Sequence, residues 1–200
     1  MMQRMEELKE FLQEYRIERT LAKKRNMEND CQCILPELEN KIDLLIQEQS
    51  TLQESGEQET IKYLSFFRLM TSGYTQSYET AIAMGNKKLY LDAHMECVYW
   101  KPEGLFDNIS QDMQKAAEIL SQKFTQIEKY ELFYLQKILF LDDWELLCRF
   151  LPQLVQGIVG RITSSSLLLE EEIEVLGGGY MEEPITVCYI TKEGEVRNGK

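Results

Sequence analysis

The chain has 200 residues, of which 44% are hydrophobic and 28% are charged, and this composition indicates a globular protein with a packed core. Its formal net charge of −12 repels phosphate backbones and anionic membranes, so binding to nucleic acid or to a membrane is not expected. The first residues contain no apolar stretch of the kind found in a secretory signal. Five cysteines make an odd number, which favours reduced thiols. We therefore expect a soluble, cytoplasmic, acidic protein.

Residues 1–54 carry two stretches of apolar residues at heptad spacing, which places them on one face of a helix. Residues 29–33 read as a break between the stretches, and Pro36 suits the first turn of a second helix. We predict an antiparallel helical hairpin with coiled-coil-like packing. The interspersed charges, including Arg19 and Lys23, are interpreted as solvated helix faces. The apolar positions are Met5, Leu8, Leu12, Tyr15 and Ala22 in the first helix, and Leu35, Leu38, Ile42, Leu45 and Leu52 in the second.

A further helix is predicted after this hairpin. Ser55 and Gln58 have the spacing of a capping box. Apolar residues then recur at intervals of three and four from Ile61 to Ile82, and Gly85 suits a helix end. A helix that is apolar over so much of its circumference belongs in a core.

Residues 89–100 are ambiguous, because their apolar and polar side chains alternate as they would in a strand. A helical or irregular segment is nevertheless favoured, because no nearby stretch offers itself as a pairing partner. A long helix follows from Ile109 to Leu141, and further helices are expected to begin near Trp144 and Pro152. Residues 55–163 are thus predicted to form a helical core.

Residues 164–200 are predicted to form an acidic tail. Gly177–Gly179 is interpreted as a flexible turn, Ile185–Thr191 is the best strand candidate, and Glu193–Gly194 would turn this strand into a short hairpin. The predicted fold class is therefore mainly α: an all-alpha, multi-helix bundle with an N-terminal antiparallel helical hairpin and a small C-terminal tail with a short β-hairpin.

Motifs for catalysis and for metal binding are weak. His94 is the only histidine, so a Ser-His-Asp or Cys-His catalytic set would have to use it. No serine lies in Gly-x-Ser-x-Gly, and no phosphate-binding loop is present. Cys31, Cys33, His94 and Cys97 are chemically able to bind zinc, but Cys-x-Cys is not the usual spacing of zinc ligands.

Pairs of carboxylates are frequent, for example Glu128 with Glu131 and Asp142 with Asp143. Such pairs serve acid–base chemistry when one pKa is raised, but they also arise by chance among 34 acidic residues. We predict no catalytic, cofactor-binding or metal-binding residues and no cofactor.

Function is inferred by elimination. We expect a non-enzymatic protein-interaction, regulatory or scaffold protein that binds a protein partner or associates with itself through the heptad helices, for example an acidic chaperone or inhibitor of a protein client. The alternative is a small-molecule-binding or catalytic helical domain with a pocket near residues 90–106. In that alternative, His94 would supply a polar group beside the aromatic residues Tyr90, Tyr99, Trp100 and Phe106.

Overall fold

A computed structural model describes residues 2–199, except for the side chains at positions 2 and 30–32. The chain divides into two compact units. Unit 1 comprises Met1–Asp30 and Pro102–Leu147, and unit 2 comprises Cys31–Lys101 and Cys148–Lys200. Among the described residues, no helix combines the length and the apolar character needed to cross a membrane.

Unit 1 is helical. It contains α1 (Met2–Phe11), the first part of α2 (Gln13–Glu54), α4 (Ile109–Ser121) and the first part of α5 (Lys129–Thr163). Phe11 packs edge-on against Phe124, and Tyr15 donates a hydrogen bond to the carbonyl oxygen of Asp112, so α4 runs antiparallel to α1 and α2. The apolar core of this unit consists of Leu8, Leu12, Ala116, Leu120, Phe124 and Leu135.

A buried ionic cluster lies beside this core. Arg19 and Lys23 of α2 lie 2.6 and 2.8 Å from the Asp143 carboxylate, and Arg19 also lies 2.7 Å from the carboxylate of Asp112. The cluster therefore joins α2, α4 and α5. Because Arg19 and Lys23 are buried, their interpretation as part of a solvated helix face is wrong. Burial and the neighbouring Asp112 also raise the pKa of the Tyr15 phenol to about 12.

Unit 2 contains a mixed sheet of six strands among the described residues, in the order β3-β2-β1-β4-β5-β6. The central strands β1 and β4 are parallel, and the other neighbouring pairs are antiparallel. The second parts of α2 and α5 and the short helix α3 (Ser72–Thr75) complete this unit. The strands are β1 (Ile61–Arg68), β2 (Thr80–Gly85), β3 (Glu96–Trp100), β4 (Leu169–Gly179), β5 (Ile185–Thr191) and β6 (Val196–Asn198).

The main core of unit 2 lies on one face of this sheet. Phe66 and Trp100 are fully buried there with their ring centroids 6.3 Å apart. A side-chain carbon placed at Gly177 would lie 3.2 Å from the Cys148 sulfur and 3.7 Å from Leu151, so α5 packs closely on β4.

The prediction of a mainly α, all-alpha helical bundle is wrong, because a six-stranded sheet is the centre of unit 2. The N-terminal hairpin is also wrong, because α2 is continuous from Gln13 to Glu54 and contains Pro36. A proline inside a helix costs about 3 kcal/mol, whereas each fully buried Leu or Ile contributes roughly 1.5–3 kcal/mol. Burial of Ile34, Leu38 and Ile42 therefore outweighs the cost of the proline.

The helix predicted between Ile61 and Ile82 is replaced by β1, α3 and β2. From Leu64 onwards, β1 is buried on both faces, as is all of β2. Strands of this kind form continuous apolar runs, which imitate the pattern of a buried helix. Once β2 exists, β3 has a pairing partner, and the second half of residues 89–100 becomes a strand.

The C-terminal residues are not a small tail, because β4, β5 and β6 make up half of the sheet. Gly177–Gly179 belongs to β4 rather than to a flexible turn. A side-chain carbon at Gly178 would approach the Cα of Pro184 to 3.2 Å, so close packing explains at least this glycine. The strand predicted at Ile185–Thr191 is confirmed, and it pairs with β6 after the turn that contains Gly194.

The positions of two cysteines in the sheet predict a large difference in the reactivity of their thiols. Cys97 is exposed, whereas Cys188 is buried and burial raises the pKa of its thiol to about 12. Since the thiolate is the reactive form, iodoacetamide at pH 8 should modify Cys188 at least about a hundredfold more slowly than Cys97. Peptide mass spectrometry of time points measures both rates. Unfolding in urea should remove the difference, and equal rates in the native protein would contradict the placement of β5.

Candidate interaction surface

Four neighbouring strands place one row of residues on the face of the sheet opposite Trp100. Tyr99 of β3 pairs with Ala81 of β2, and Ala81 pairs with Phe67 of β1. Phe67 in turn pairs with Gly178 of β4. Paired residues point to the same side of a sheet, so two aromatic rings alternate with two small residues along this row. Both small residues are covered, because Ala81 is buried and Gly178 lies against Pro184.

Two further tyrosines pack onto this row from connecting segments. Tyr90 and Tyr180 lie with their ring centroids 5.3 and 5.8 Å from that of Phe67, and 5.8 Å from each other. These separations are typical of aromatic pairs that attract one another. We refer to Phe67, Tyr90, Tyr99 and Tyr180 as the aromatic patch.

The aromatic patch is only partly covered. Phe67 is buried and forms its floor. Tyr99 is 51% exposed and Tyr180 is 41% exposed, and the neighbouring Met181 is also exposed. Exposed tyrosine and methionine side chains are enriched in protein interfaces. The floor contributes to stability, whereas the exposed rings are available to a partner.

The backbone is strained on both sides of the patch. Leu89, directly before Tyr90, has a φ of 48°, and Met181, directly after Tyr180, has a φ of 63°. Both values lie in the left-handed region, which costs a residue with a side chain roughly 1–2 kcal/mol. Such strain concentrates at functional sites, where surrounding contacts maintain it. Here it determines the positions of two of the tyrosines.

Hydrogen bonds hold the segment that carries Tyr90. The buried Asp92 carboxylate accepts hydrogen bonds from the backbone N–H of Asn86 and from the side chain of Gln58. The Asn86 side chain donates to Gln58 as well. Gln58 follows the end of α2 and therefore does not cap a helix. These buried contacts make the Tyr90 segment a fixed part of the surface.

Carboxylates border the patch. The Tyr90 hydroxyl donates to the backbone oxygen of Glu182, and Arg68 forms an ion pair with the Glu182 side chain at 3.1 Å. Glu183 is exposed beside them. The Cys97 thiol on the same strand raises the pKa of the Tyr99 phenol, and the nearby Glu79 adds to this effect. Because Glu182 is paired with Arg68, the acidic character of the border comes from Glu79 and Glu183.

The other residues singled out from the sequence are dispersed. The His94 side chain is partly exposed and lies 3.9 Å from Glu57. Trp100 is buried on the opposite face of the sheet from Tyr99, and Phe106 belongs to unit 1, where it packs against Phe140. The four aromatic residues of the predicted pocket near residues 90–106 therefore do not all line one site.

Of the four candidate zinc ligands, the side chain of Cys31 lies outside the described residues. Cys33 and Cys97 are both exposed. Among the side chains that the structure describes, no group of three or more His, Cys, Asp or Glu residues is arranged to hold a metal ion.

Only half of the aromatic patch can be inferred from the sequence. The sequence groups Tyr90 and Tyr99 among the aromatic residues of the predicted pocket, because they are close together along the chain. Phe67 and Tyr180 could not be connected with them, since the pairing of β1 with β4 joins residues more than 100 positions apart. The acidic residues after Tyr180 were a usable indication of a charged border, but not of its location.

Comparison of the chain with protein-family models, with curated proteins and with solved structures found no match.

Proposed function

We propose that this protein is a non-enzymatic interaction protein that binds a basic segment of a partner protein on the aromatic patch. The observation that carries the proposal is the joining of exposed tyrosines to an acidic border. Arginine and lysine side chains bind over the faces of aromatic rings, and nearby carboxylates add charge complementarity. The cytoplasm is the compartment we propose for this function.

Strain and exposure support a role in binding. The left-handed residues Leu89 and Met181 destabilise the fold locally, as strained residues at binding sites often do. A regulatory or scaffold protein and an acidic chaperone would use such a surface in the same way. By contrast, the heptad side chains Leu8, Leu38 and Leu45 are fully buried within the chain, so the proposed contact uses exposed residues instead.

Binding of a short basic peptide tests this proposal. The probe is a fluorescein-labelled nine-residue peptide with three arginines and one leucine, in otherwise glycine and serine sequence. We expect the Tyr180→Ala variant to bind it about five- to tenfold more weakly than the unaltered protein, because one cation–π contact contributes roughly 1 kcal/mol. Fluorescence anisotropy at 150 mM salt measures the dissociation constants.

Tyr130→Ala is the matched control, because Tyr130 is a tyrosine of unit 1 with a similar exposure to Tyr180. Neither substitution changes the net charge, so general attraction between the acidic protein and the peptide stays constant. A second control peptide carries glutamine in place of each arginine and should bind at least about tenfold more weakly. Equal affinity of the Tyr180→Ala and Tyr130→Ala variants would contradict the proposal.

A further inference from the structure

The edge of the sheet at β3 is open. β3 pairs with β2 on one side and, among residues 2–199, no strand lies on its other side. Proteins commonly protect such an edge with a very short strand, a proline, charged side chains or a bulge. The opposite edge strand, β6, is only three residues long. By contrast, β3 has five residues, of which only Glu96 is charged, and it pairs with β2 without a register shift.

Hydrogen bonds in the middle of the sheet indicate which backbone groups of β3 are free. The backbone N–H of Tyr180 donates to the carbonyl oxygen of Arg68, so Arg68 directs its backbone groups toward β4. Successive residues of a strand direct these groups to opposite sides, so Phe67 bonds to its partner Ala81 in β2. Ala81 therefore bonds toward β1, and its two neighbours in β2 bond toward β3.

The same alternation continues into β3. The two neighbours of Ala81 pair with Trp100 and Val98, so these two residues of β3 bond to β2. Cys97 and Tyr99 then direct their backbone N–H and C=O groups away from the sheet. Both side chains are exposed, and no described residue forms a hydrogen bond with these backbone groups. An extended chain beside β3 satisfies both residues together.

A groove beside this edge is acidic. It has a volume of about 420 Å³ and is lined by residues of α2 and by Glu96. Its two carboxylates, Glu48 and Glu96, form no ion pair with a described residue. Leu44, which is 48% exposed, adds an apolar surface. The nearby basic residues are farther away, because Lys101 follows the other end of β3 and Lys41 lies about two helical turns before Glu48.

We propose that an extended segment of a partner protein, with basic residues near its C-terminal end, adds to β3 as a seventh strand. Backbone hydrogen bonds to Cys97 and Tyr99 hold the segment. Antiparallel pairing is the more stable arrangement per residue, and it places the C-terminal end of the segment beside Glu96. Alternate side chains then enter the groove, where an arginine or lysine packs its stem on Leu44 and its charge lies near Glu48.

This contact goes beyond the proposed binding at the aromatic patch and does not require it. The backbone of β3 supplies the hydrogen bonds, whereas the rings of Tyr90 and Tyr180 lie on segments outside β3. The net charge of −12 favours a basic segment over the β3 edge of a second copy as the added strand.

Methylation of a peptide backbone tests the added strand. The probe is a fluorescein-labelled nine-residue peptide of threonine and valine with arginines at its sixth and eighth positions. N-methylation of its fifth and seventh residues, whose N–H groups face β3, should weaken binding at least about tenfold, because two hydrogen bonds are lost. N-methylation of its fourth and sixth residues, whose N–H groups face solvent, should change the dissociation constant less than about twofold. Fluorescence anisotropy at 150 mM salt measures these constants.

Removal of the two carboxylates tests the groove. Glu48→Gln combined with Glu96→Gln should weaken binding of the unmethylated peptide about five- to tenfold, because both charges near the arginines are lost. Glu7→Gln combined with Glu18→Gln is the matched control, since it removes two charges from exposed residues of unit 1. It should change the dissociation constant less than about twofold.

The methylated peptides are also measured with the Tyr180→Ala variant, in which the proposed binding at the aromatic patch is weakened. The same difference between the two peptides is expected there, so failure of the patch proposal leaves this test intact. Equal effects of the two methylations, equal effects of the two double variants, or no binding up to about 1 mM would overturn the added strand. A dimer in sedimentation equilibrium that excludes the peptide would overturn it as well.

Discussion

Replacing Asp143 with alanine is expected to lower the free energy of unfolding by about 3–5 kcal/mol, the usual effect of breaking a buried ion pair from one side. Asp143 is 1% exposed and is the shared partner of Arg19 and Lys23. Its removal leaves two buried cations with only Asp112 to balance them. A loss of this size is a large part of the total stability of a typical domain. Urea denaturation followed by circular dichroism measures it.

The neighbouring Asp142 provides the matched control. It forms an ion pair with Arg16 at 2.6 Å nearer to the surface, so Asp142→Ala should cost only about 1 kcal/mol. A second variant, Asp143→Leu combined with Lys23→Met, removes one charge of each sign. It should be more stable than Asp143→Ala, because it leaves Arg19 paired with Asp112. A loss below about 1 kcal/mol for Asp143→Ala would show that the cluster is hydrated in solution.

Replacing Trp100 with alanine is expected to cost about 3–5 kcal/mol, the usual range for removing a large buried aromatic side chain. Trp100 is fully buried at the end of β3 and packs against Phe66 of β1. Its loss opens a cavity that the surrounding strands cannot close without breaking their pairing. The urea concentration at the midpoint of unfolding measures this loss of stability, provided that the slope of unfolding free energy against urea concentration stays the same.

Tyr99→Ala is the control for this substitution and removes a ring of similar size one residue earlier. Because successive residues of a strand point to opposite faces, Tyr99 is half-exposed in the aromatic patch. We expect a loss of about 1 kcal/mol or less for this variant. Similar losses for Trp100→Ala and Tyr99→Ala would contradict the strand and support a helical or irregular segment at residues 89–100.

Local patterns predicted some elements well. The strand at Ile185–Thr191 is rich in β-branched residues and is bounded by turn residues, so its pattern was unambiguous. The helical character of α2 was likewise evident from its heptads, although the break near residue 30 was not real. Residues 29–33 contain neither glycine nor proline, so nothing in the backbone there requires the helix to end.

Other elements depended on contacts that are distant in sequence. The helical interpretation of Ile61–Arg68 failed because a strand buried on both faces lacks alternation. Its pairing with β4 brings together residues more than 100 positions apart. Arg19 and Lys23 are residue types that usually lie on a solvated helix face. Their burial is tolerated because Asp112 and Asp143, which lie on helices distant in sequence, pair with them.

The sequence by itself determined that the chain folds, that it is acidic, and that its first 54 residues are largely helical, because composition and helical period are local properties. Only the tertiary structure decided that the protein has a central mixed sheet in unit 2, since strand pairing depends on which distant segments meet. It also decided which tyrosines are exposed together and which charges are buried. The physical reason is that the burial of a side chain depends on which segments pack around it in the folded chain, and not on its residue type alone.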